Sequence, residues 1–385
     1  MADIFLKLNQ FDNTVGLLNS VDGSLIGPTV SLCHHCHQHI PAYTYHKDNQ
    51  LWLVKRCKMH GISHHMIERD YRFIQLLSYD TPYEFNGSVL LEVSDRCNAD
   101  CPHCYHMPDN KTIDRPLDTI IKEIEQFYTP GTNIVLTGAE ASLRKDFPEL
   151  IRTISEEFNY RNLGTMTNGI RFSDIDFLTK CRDAGLDGIM VGLNHPSYLD
   201  NATIRRKQIQ GIVNANTLGM QLGYVGYTMA SISELEDILE ETCSVDWKPG
   251  MYRIRYGSDI GRYPEQDRMY VSDIYNITKS WAERKGKKFE LMHHADNNLY
   301  HVMVKIDNQQ YRLIQWCDET DIHMEELRGG PWCNFVPDGI TNFLHQVIRR
   351  DILKNQGLVL PDTPPLRYQY SDRFNTEPLD FKNLS

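Results

Sequence analysis

Two groups of cysteines hold the residues of this chain best suited to chemistry. The first reads Cys97-Asn98-Ala99-Asp100-Cys101-Pro102-His103-Cys104, a C-x3-C-x2-C spacing. Three thiolates on one loop can hold three irons of a [4Fe–4S] cluster and leave the fourth iron open for a ligand. Structural zinc sites usually take four protein ligands in paired x2 spacings, and no fourth cysteine follows closely here. The second group is Cys33 and Cys36, then Cys57 and His60, a C-x2-C-x20-C-x2-H pattern. Two ligand pairs separated by a loop make a tetrahedral Cys3His site, most simply for zinc, with an auxiliary iron–sulfur cluster as the competing metal. Six of the ten cysteines fall in these two groups. In a reducing compartment such clustering favours metal over disulfides.

The elements around these groups say how they are positioned. Between the ligand pairs of the second group, residues 42–47 and 51–55 read as a hairpin turning at Asp48-Asn49, as in a zinc ribbon. From residue 88 short β-rich runs alternate with helical patterns. Strands are expected at 88–93, 133–136, 163–167, 188–193, 222–228 and 251–256, and helices near 116–128, 147–158, 173–184, 203–218 and 231–242. Ser231 with Glu234 is a capping-box pattern, and Gly185 and Gly219 sit where helices should end. Such alternation means βαβ units and a parallel sheet. Six units are fewer than the eight of a closed barrel, so the expected fold is α/β, a partial (β/α)6 barrel. The C-x3-C-x2-C loop then lies at the C-terminal end of the first strand, where barrels place their chemistry. Three short antiparallel strands near 289–293, 300–306 and 311–316, a helix near 338–355 and an irregular tail from Leu360 form a small C-terminal α+β extension. The expected division is 1–87, an N-terminal segment with the zinc-ribbon-like knot; 88–286, the barrel; and 287–385, the extension.

The three-cysteine motif resembles the signature of the radical S-adenosylmethionine (SAM) superfamily, and the likeness continues in order over roughly residues 88 to 260. The second strand is followed by Thr137-Gly138-Ala139-Glu140-Ala141, similar to the family's Gly-Gly-Glu motif with Ala139 and Ala141 as departures. The resemblance implies that Gly138 and Glu140 hold the amino group of the SAM methionine. It gives Thr167 and Asn168, in Thr165-Met166-Thr167-Asn168-Gly169, contacts to the SAM ribose or carboxylate. Asn194 ends the fourth strand, and His103 stands where its backbone would contact adenine. On the sixth strand, alternation puts Arg253 and Arg255 on one face, able to hold the SAM carboxylate or an anionic substrate. Structural readings, a capped turn or an internal salt bridge, stand beside these for Asn194, Arg253 and Arg255. The implied chemistry is reductive cleavage of SAM to a 5′-deoxyadenosyl radical that abstracts hydrogen from substrate, with flavodoxin or ferredoxin as electron donor. The N-terminal knot ahead of this core is similar to a subgroup that includes pterin methylases.

The remaining sequence narrows the reaction only in part. Hydrophobic types make up 41% of 385 residues, as in a globular protein. No run of 18 apolar residues occurs, which excludes a membrane-spanning helix. The net charge is −11, so non-specific nucleic-acid binding is disfavoured, a local patch at Arg205, Arg206 and Lys207 aside. Nucleic acid enters only as a modified substrate. No secretory signal opens the chain, and the expected location is the cytoplasm. No lysine sits in a setting that suggests pyridoxal phosphate. Cys317 and Cys333 read as buried cysteines or as a C-terminal ligand pair. The expected substrate is a small heteroaromatic or nucleobase-like molecule that is rearranged or alkylated. Two concrete versions are isomerisation of glycine-substituted thymine in phage DNA hypermodification and C-methylation of a pterin-like substrate. A non-catalytic zinc-ribbon adaptor is the alternative of another class.

Overall fold

Asp48 and Asn49 adopt φ of 51° and 61°, the left-handed pair that lets a two-residue turn follow the twist of its strands. They join β2 (His39–Lys47) to β3 (Gln50–Cys57), with Lys47 opposite Gln50. The hairpin is flanked by β1 (Ser24–Leu32) and β4 (Gly61–Glu68), giving an antiparallel sheet in the order β1-β2-β3-β4. The sequence reading found the inner hairpin and missed both outer strands, β1 being interrupted by Gly27-Pro28 and β4 exposing Ile62 while burying Glu68. A short helix, α1 (Val15–Leu18), buries Leu17 against Tyr43, Tyr45 and Val54. The computed structural model describes residues 15–33, 35, 39–77, 88–102, 104, 108, 110–111, 113–128, 130–193, 195, 201–256, 269–292, 301–314 and 367–369.

After α2 (Tyr71–Leu76) comes the large sheet. β5 (Ser88–Ser94), β6 (Asn133–Gly138), β7 (Leu163–Thr167), β8 (Gly188–Gly192), β9 (Gln221–Met229) and β10 (Met251–Tyr256) lie side by side in chain order, all parallel. The crossovers carry α3 (Leu117–Phe127), α4 (Phe147–Glu157), α5 (Ile175–Asp183), α6 (Ala202–Thr217) and α7 (Leu235–Ser244). Six parallel strands in sequential order, joined by helical crossovers, share one apolar core with their helices; right-handed crossovers, the general rule, put such helices on one side. This is the partial (β/α)6 arrangement expected from the sequence.

Burial alternates along these strands. On β10, Tyr252, Ile254 and Tyr256 are buried while Arg253 and Arg255 are half-buried. The buried set joins one apolar core that runs from Phe73 to Leu313. The other face carries Thr137, Met166, Met190, Tyr224, Arg253 and Arg255, all partly open. A parallel sheet buried on both faces reads as continuous apolar runs; here the face away from the helices is left accessible to a ligand.

The C-terminal extension is continuous with this sheet. α8 (Val271–Arg284), absent from the sequence reading, buries Val271, Ile274 and Trp281 at helical spacing. β11 (Phe289–Leu291), β12 (His301–Ile306) and β13 (Gln309–Ile314) form an antiparallel meander, and Asp307, with φ of 52°, turns the second hairpin. β13 pairs in parallel with β10. Three residues of the tail expected to be irregular form β14 (Arg367–Gln369), antiparallel to β5. The helix near 338–355 lies outside the described residues, as do Cys317 and Cys333.

One buried carboxylate joins the ribbon to the barrel. Glu68, at the end of β4, is fully buried and accepts from the N–H groups of Arg69 at 2.6 Å, Asp70 at 3.0 Å and Ser272 at 3.4 Å, and from the Ser272 hydroxyl. Ser272 lies in the first turn of α8, where free N–H groups and the helix dipole favour an anion. Burial nonetheless pushes the Glu68 carboxyl above its ordinary pKa. Arg69 adds an ion pair to Asp273 at 3.3 Å and lies over the Tyr270 ring.

Candidate functional site

The C-terminal end of β5 is irregular, with the pairing to β6 shifting between Glu92 and Ser94. Such a shift re-aims the following chain, here the cysteine loop. Gly138 closes against it with φ of 124°, and a Cβ at that position would lie 2.3 Å from the Ser94 carbonyl oxygen. Only glycine fits so close an approach in that backbone conformation. The Ala139 N–H then donates to Ser94 O at 2.8 Å.

Polar side chains that the sequence reading did not single out brace the loop. Arg96 pairs with Asp114 and donates to the Leu143 carbonyl at 3.0 Å. The Ser94 hydroxyl donates to Asp114 at 2.9 Å, and the Cys97 N–H donates to Asn110 Oδ1 at 2.9 Å. Arg144, 1% exposed, donates to the carbonyls of Val93 at 2.9 Å and Arg115 at 3.0 Å and pairs with Asp146 at 2.7 Å. Gln208 joins the ends of β7 and β8 by donating to the carbonyls of Asn168 and Gly192, both at 2.9 Å. No spacing rule links these residues: apart from the Arg144–Asp146 pair, their partners lie 13 or more positions away in sequence.

Cys97, Cys101 and Cys104 are all partly buried and unbridged. Cys97 Sγ accepts from the Ala99 N–H at 3.4 Å and from Asn168 Nδ2 at 3.6 Å. Burial pushes the Cys97 thiol up, which suppresses the free thiolate; a bound metal is what deprotonates such a thiol. Three thiols at one strand end, with N–H donors aimed at one of them, fit an iron–sulfur cluster.

The structure brings Glu140, Thr167 and Asn168 together and leaves the Glu140 carboxylate fully buried. Glu140 has no exposed surface and accepts from the Thr167 hydroxyl at 2.7 Å, the Asn168 N–H at 2.6 Å, the Ser142 N–H at 3.3 Å and the Ser142 hydroxyl. Four donors converge on it from two strand ends, and burial still raises its pKa. Arg253 lies over the Tyr224 ring, 4.6 Å from its centroid, and stands opposite Arg312 of β13 in register. Arg255 is next on the same face. Gly138 stays at the mouth, half-buried. His103 and Asn194 lie outside the described residues.

At the ribbon, the ligand atoms of Cys33, Cys57 and His60 all lie within 4.8 Å of one another. Cys33 Sγ and Cys57 Sγ stand 3.5 Å and 3.3 Å from His60 Nδ1. Tetrahedral zinc with ordinary Zn–S and Zn–N bonds separates such atoms by about 3.6 Å, so the three residues fit the ion. Cys36, the expected fourth ligand, lies outside the described residues.

These two sites sit in two recognisable domains. Residues 91–241 match the family described as the radical SAM superfamily, and residues 25–69 match the HMPTM N-terminal zinc ribbon domain. The chain carries the radical SAM domain of that enzyme family behind a zinc ribbon, and the domain match implies SAM and a [4Fe–4S] cluster. Among curated proteins it is 27% identical over 208 residues to the 7,8-dihydro-6-hydroxymethylpterin dimethyltransferase of Methanocaldococcus jannaschii, covering 44% of this chain and 40% of that one. It is 36% identical over 108 residues to the GTP 3′,8-cyclase of Yersinia pestis, covering 27% of this chain and 32% of that one. The chain thus spans less than half the length of either relative. The solved structure of Streptococcus suis SuiB bound to S-adenosylmethionine aligns over 51% of this chain and 48% of that one, with 15% identity and a TM-score of 0.39. Among the described residues no helix is long and apolar enough to cross a membrane.

Proposed function

We propose that this chain is a radical SAM enzyme acting on a small heteroaromatic or nucleobase-like substrate. The observation that carries this reading is the three-cysteine loop at the C-terminal end of the first parallel strand, with Cys97 in contact with Asn168 at the end of β7. Cys97, Cys101 and Cys104 would hold the cluster. When bound, the cluster and SAM supply one-electron cleavage of the sulfonium and a 5′-deoxyadenosyl radical that abstracts hydrogen from the substrate.

The residues of this chain supply binding and orientation. The glycine approach at Gly138 leaves backbone at the mouth for the SAM amino group. Arg253 and Arg255, on the open face of β10, offer guanidinium groups to a carboxylate or an anionic substrate. Thr167 and Asn168 define the end of β7 beside the cluster loop. Cys33, Cys36, Cys57 and His60 would hold zinc as a structural ion, making residues 1–87 a docked ribbon, 88–286 the catalytic barrel and 287–385 an extension of its sheet.

Both enzymatic relatives are named for fused-ring heterocycles, a pterin and a guanine nucleotide. That shared class supports a bicyclic or nucleobase-like substrate and leaves rearrangement and alkylation as the two outcomes. An electron donor such as flavodoxin or ferredoxin would reduce the cluster. The test is anaerobic reconstitution with iron and sulfide, then SAM and dithionite, with 5′-deoxyadenosine as the readout. A brown protein with about four irons at the cluster site that releases 5′-deoxyadenosine is expected. A colourless protein holding zinc alone would make it an adaptor instead.

A further inference from the structure

We infer that Asn168 is a positioning residue for the cluster, which donates a hydrogen bond to Cys97 and thereby raises the reduction potential, and that Glu140 is the clamp that holds it there. The inference rests on the cluster assignment above and reassigns Asn168 from contact with SAM to contact with a cluster ligand.

Every polar group of Asn168 is engaged. Its N–H donates to Glu140 at 2.6 Å, and its carbonyl accepts from Gln208 at 2.9 Å. Its Oδ1 accepts the Ile170 N–H at 2.9 Å. An amide whose oxygen is held by a backbone donor cannot turn over without losing that bond, so its NH2 group is the end that faces the loop. One N–H direction meets Asn98 Oδ1 at 2.8 Å and the other meets Cys97 Sγ at 3.6 Å. Glu140 fixes the starting point of this reach. Its buried carboxylate binds both Thr167 and the Asn168 backbone and so sets where the end of β7 stands relative to β5. Sequence places Glu140, Asn168 and Cys97 on three different strand ends, and only the folded sheet joins them.

A donor on a cluster thiolate draws electron density from the sulfur and favours the more negative, reduced cluster. One electron is added from the external donor and no bond is broken. The second donor on the same sulfur, the Ala99 N–H, belongs to the loop backbone and is not open to substitution.

The test reconstitutes wild type, Asn168→Asp and Asn98→Ala anaerobically. It measures iron and sulfide, then the midpoint potential without SAM by a redox titration followed by electron paramagnetic resonance, then SAM affinity by calorimetry. Asn168→Asp keeps the shape but replaces the donor with an acceptor. Its reduced-to-oxidised ratio at a fixed potential should fall roughly tenfold, about 59 mV for one electron. Asn98→Ala, at an exposed position, releases the NH2 group to Cys97 and should shift the midpoint the other way by a smaller amount. Clustered variants that both keep the wild-type midpoint overturn the inference, as does a loss of SAM affinity in Asn168→Asp at an unchanged midpoint. If Asn168→Asp takes up no iron, Asn98→Ala decides alone. A wild-type chain that takes up no cluster sinks the functional reading itself, a result distinct from either of these.

Discussion

The two cysteine sites of this chain use the same ligand chemistry on opposite kinds of support. Cys33, Cys57 and His60 sit at the ends of antiparallel strands, and their ligand atoms lie within 4.8 Å of one another. Both cysteines there are buried, packed with Ile40. Cys97, Cys101 and Cys104 sit on a loop beyond a parallel strand and are only partly buried. The first arrangement gathers its ligand atoms as a closed structural site would; the second leaves its thiols partly accessible at the end of a sheet. Antiparallel neighbours register each other residue by residue, so the ribbon sets its own metal geometry. The loop depends on side chains borrowed from the rest of the barrel, such as Arg144 and Asn168.

The largest effect should come from the loop. Cys97→Ala, Cys101→Ala or Cys104→Ala is expected to reduce 5′-deoxyadenosine formation to background with little change in melting temperature, since each removes an iron ligand and little core. Full product release by any one of them would break the contrast between the sites. Cys57→Ala should do the reverse. Zinc measured by elemental analysis should be lost and unfolding in urea should occur at least about 3 kcal/mol more easily, because loss of a metal ranks among the largest single-mutation effects. Iron at the loop should be retained; extra iron and sulfide in the wild-type ribbon would instead indicate an auxiliary cluster there.

Gly138→Ala tests how tightly the loop is seated. The 2.3 Å approach to the Ser94 oxygen and the positive φ together should cost at least about 2 kcal/mol, seen as a lower melting temperature and poorer iron loading. Glu140→Gln should cost about 1–3 kcal/mol, since an amide leaves one of the converging donors unmatched. Calorimetric unfolding would show it, and wild-type stability would mean that the strand-end clamp is dispensable.

The smallest effect is a pH dependence at the docking carboxylate. Burial raises the Glu68 pKa. Its contribution is therefore fully present below the unfolded value near 4.5 and is lost as pH rises through the higher folded value. Relative to Glu68→Gln, the wild-type protein should lose stability across that window, by about 1.4 kcal/mol for every pH unit between the two values. Parallel stability–pH curves for the two proteins would remove Glu68 as the titrating group.

Local patterns carried most of the architecture. Strand and helix periodicity between residues 88 and 256 gave six strands and the five helices between them, and Asp48-Asn49 marked the ribbon turn, since turn chemistry and apolar spacing are properties of adjacent residues. β1 was missed because Gly27-Pro28 breaks its pattern where the pairing shifts register, and β4 because its polar and apolar residues do not alternate in burial. α8 was missed although Val271, Ile274 and Trp281 carry a helical spacing, because polar residues interrupt it.

The sequence by itself determined the two donor sets, C-x3-C-x2-C and C-x2-C-x20-C-x2-H, since metal-ligand spacing is written in consecutive residues. It also determined that the first would stand at a strand end. Only the tertiary structure decided that Glu140 is buried against the end of β7, that Asn168 turns its NH2 group toward Cys97 and that Glu68 binds the ribbon to α8. Each of those contacts joins residues between 28 and 204 positions apart. Hydrogen bonds over such separations depend on how strands are stacked side by side, which spacing along the chain does not encode.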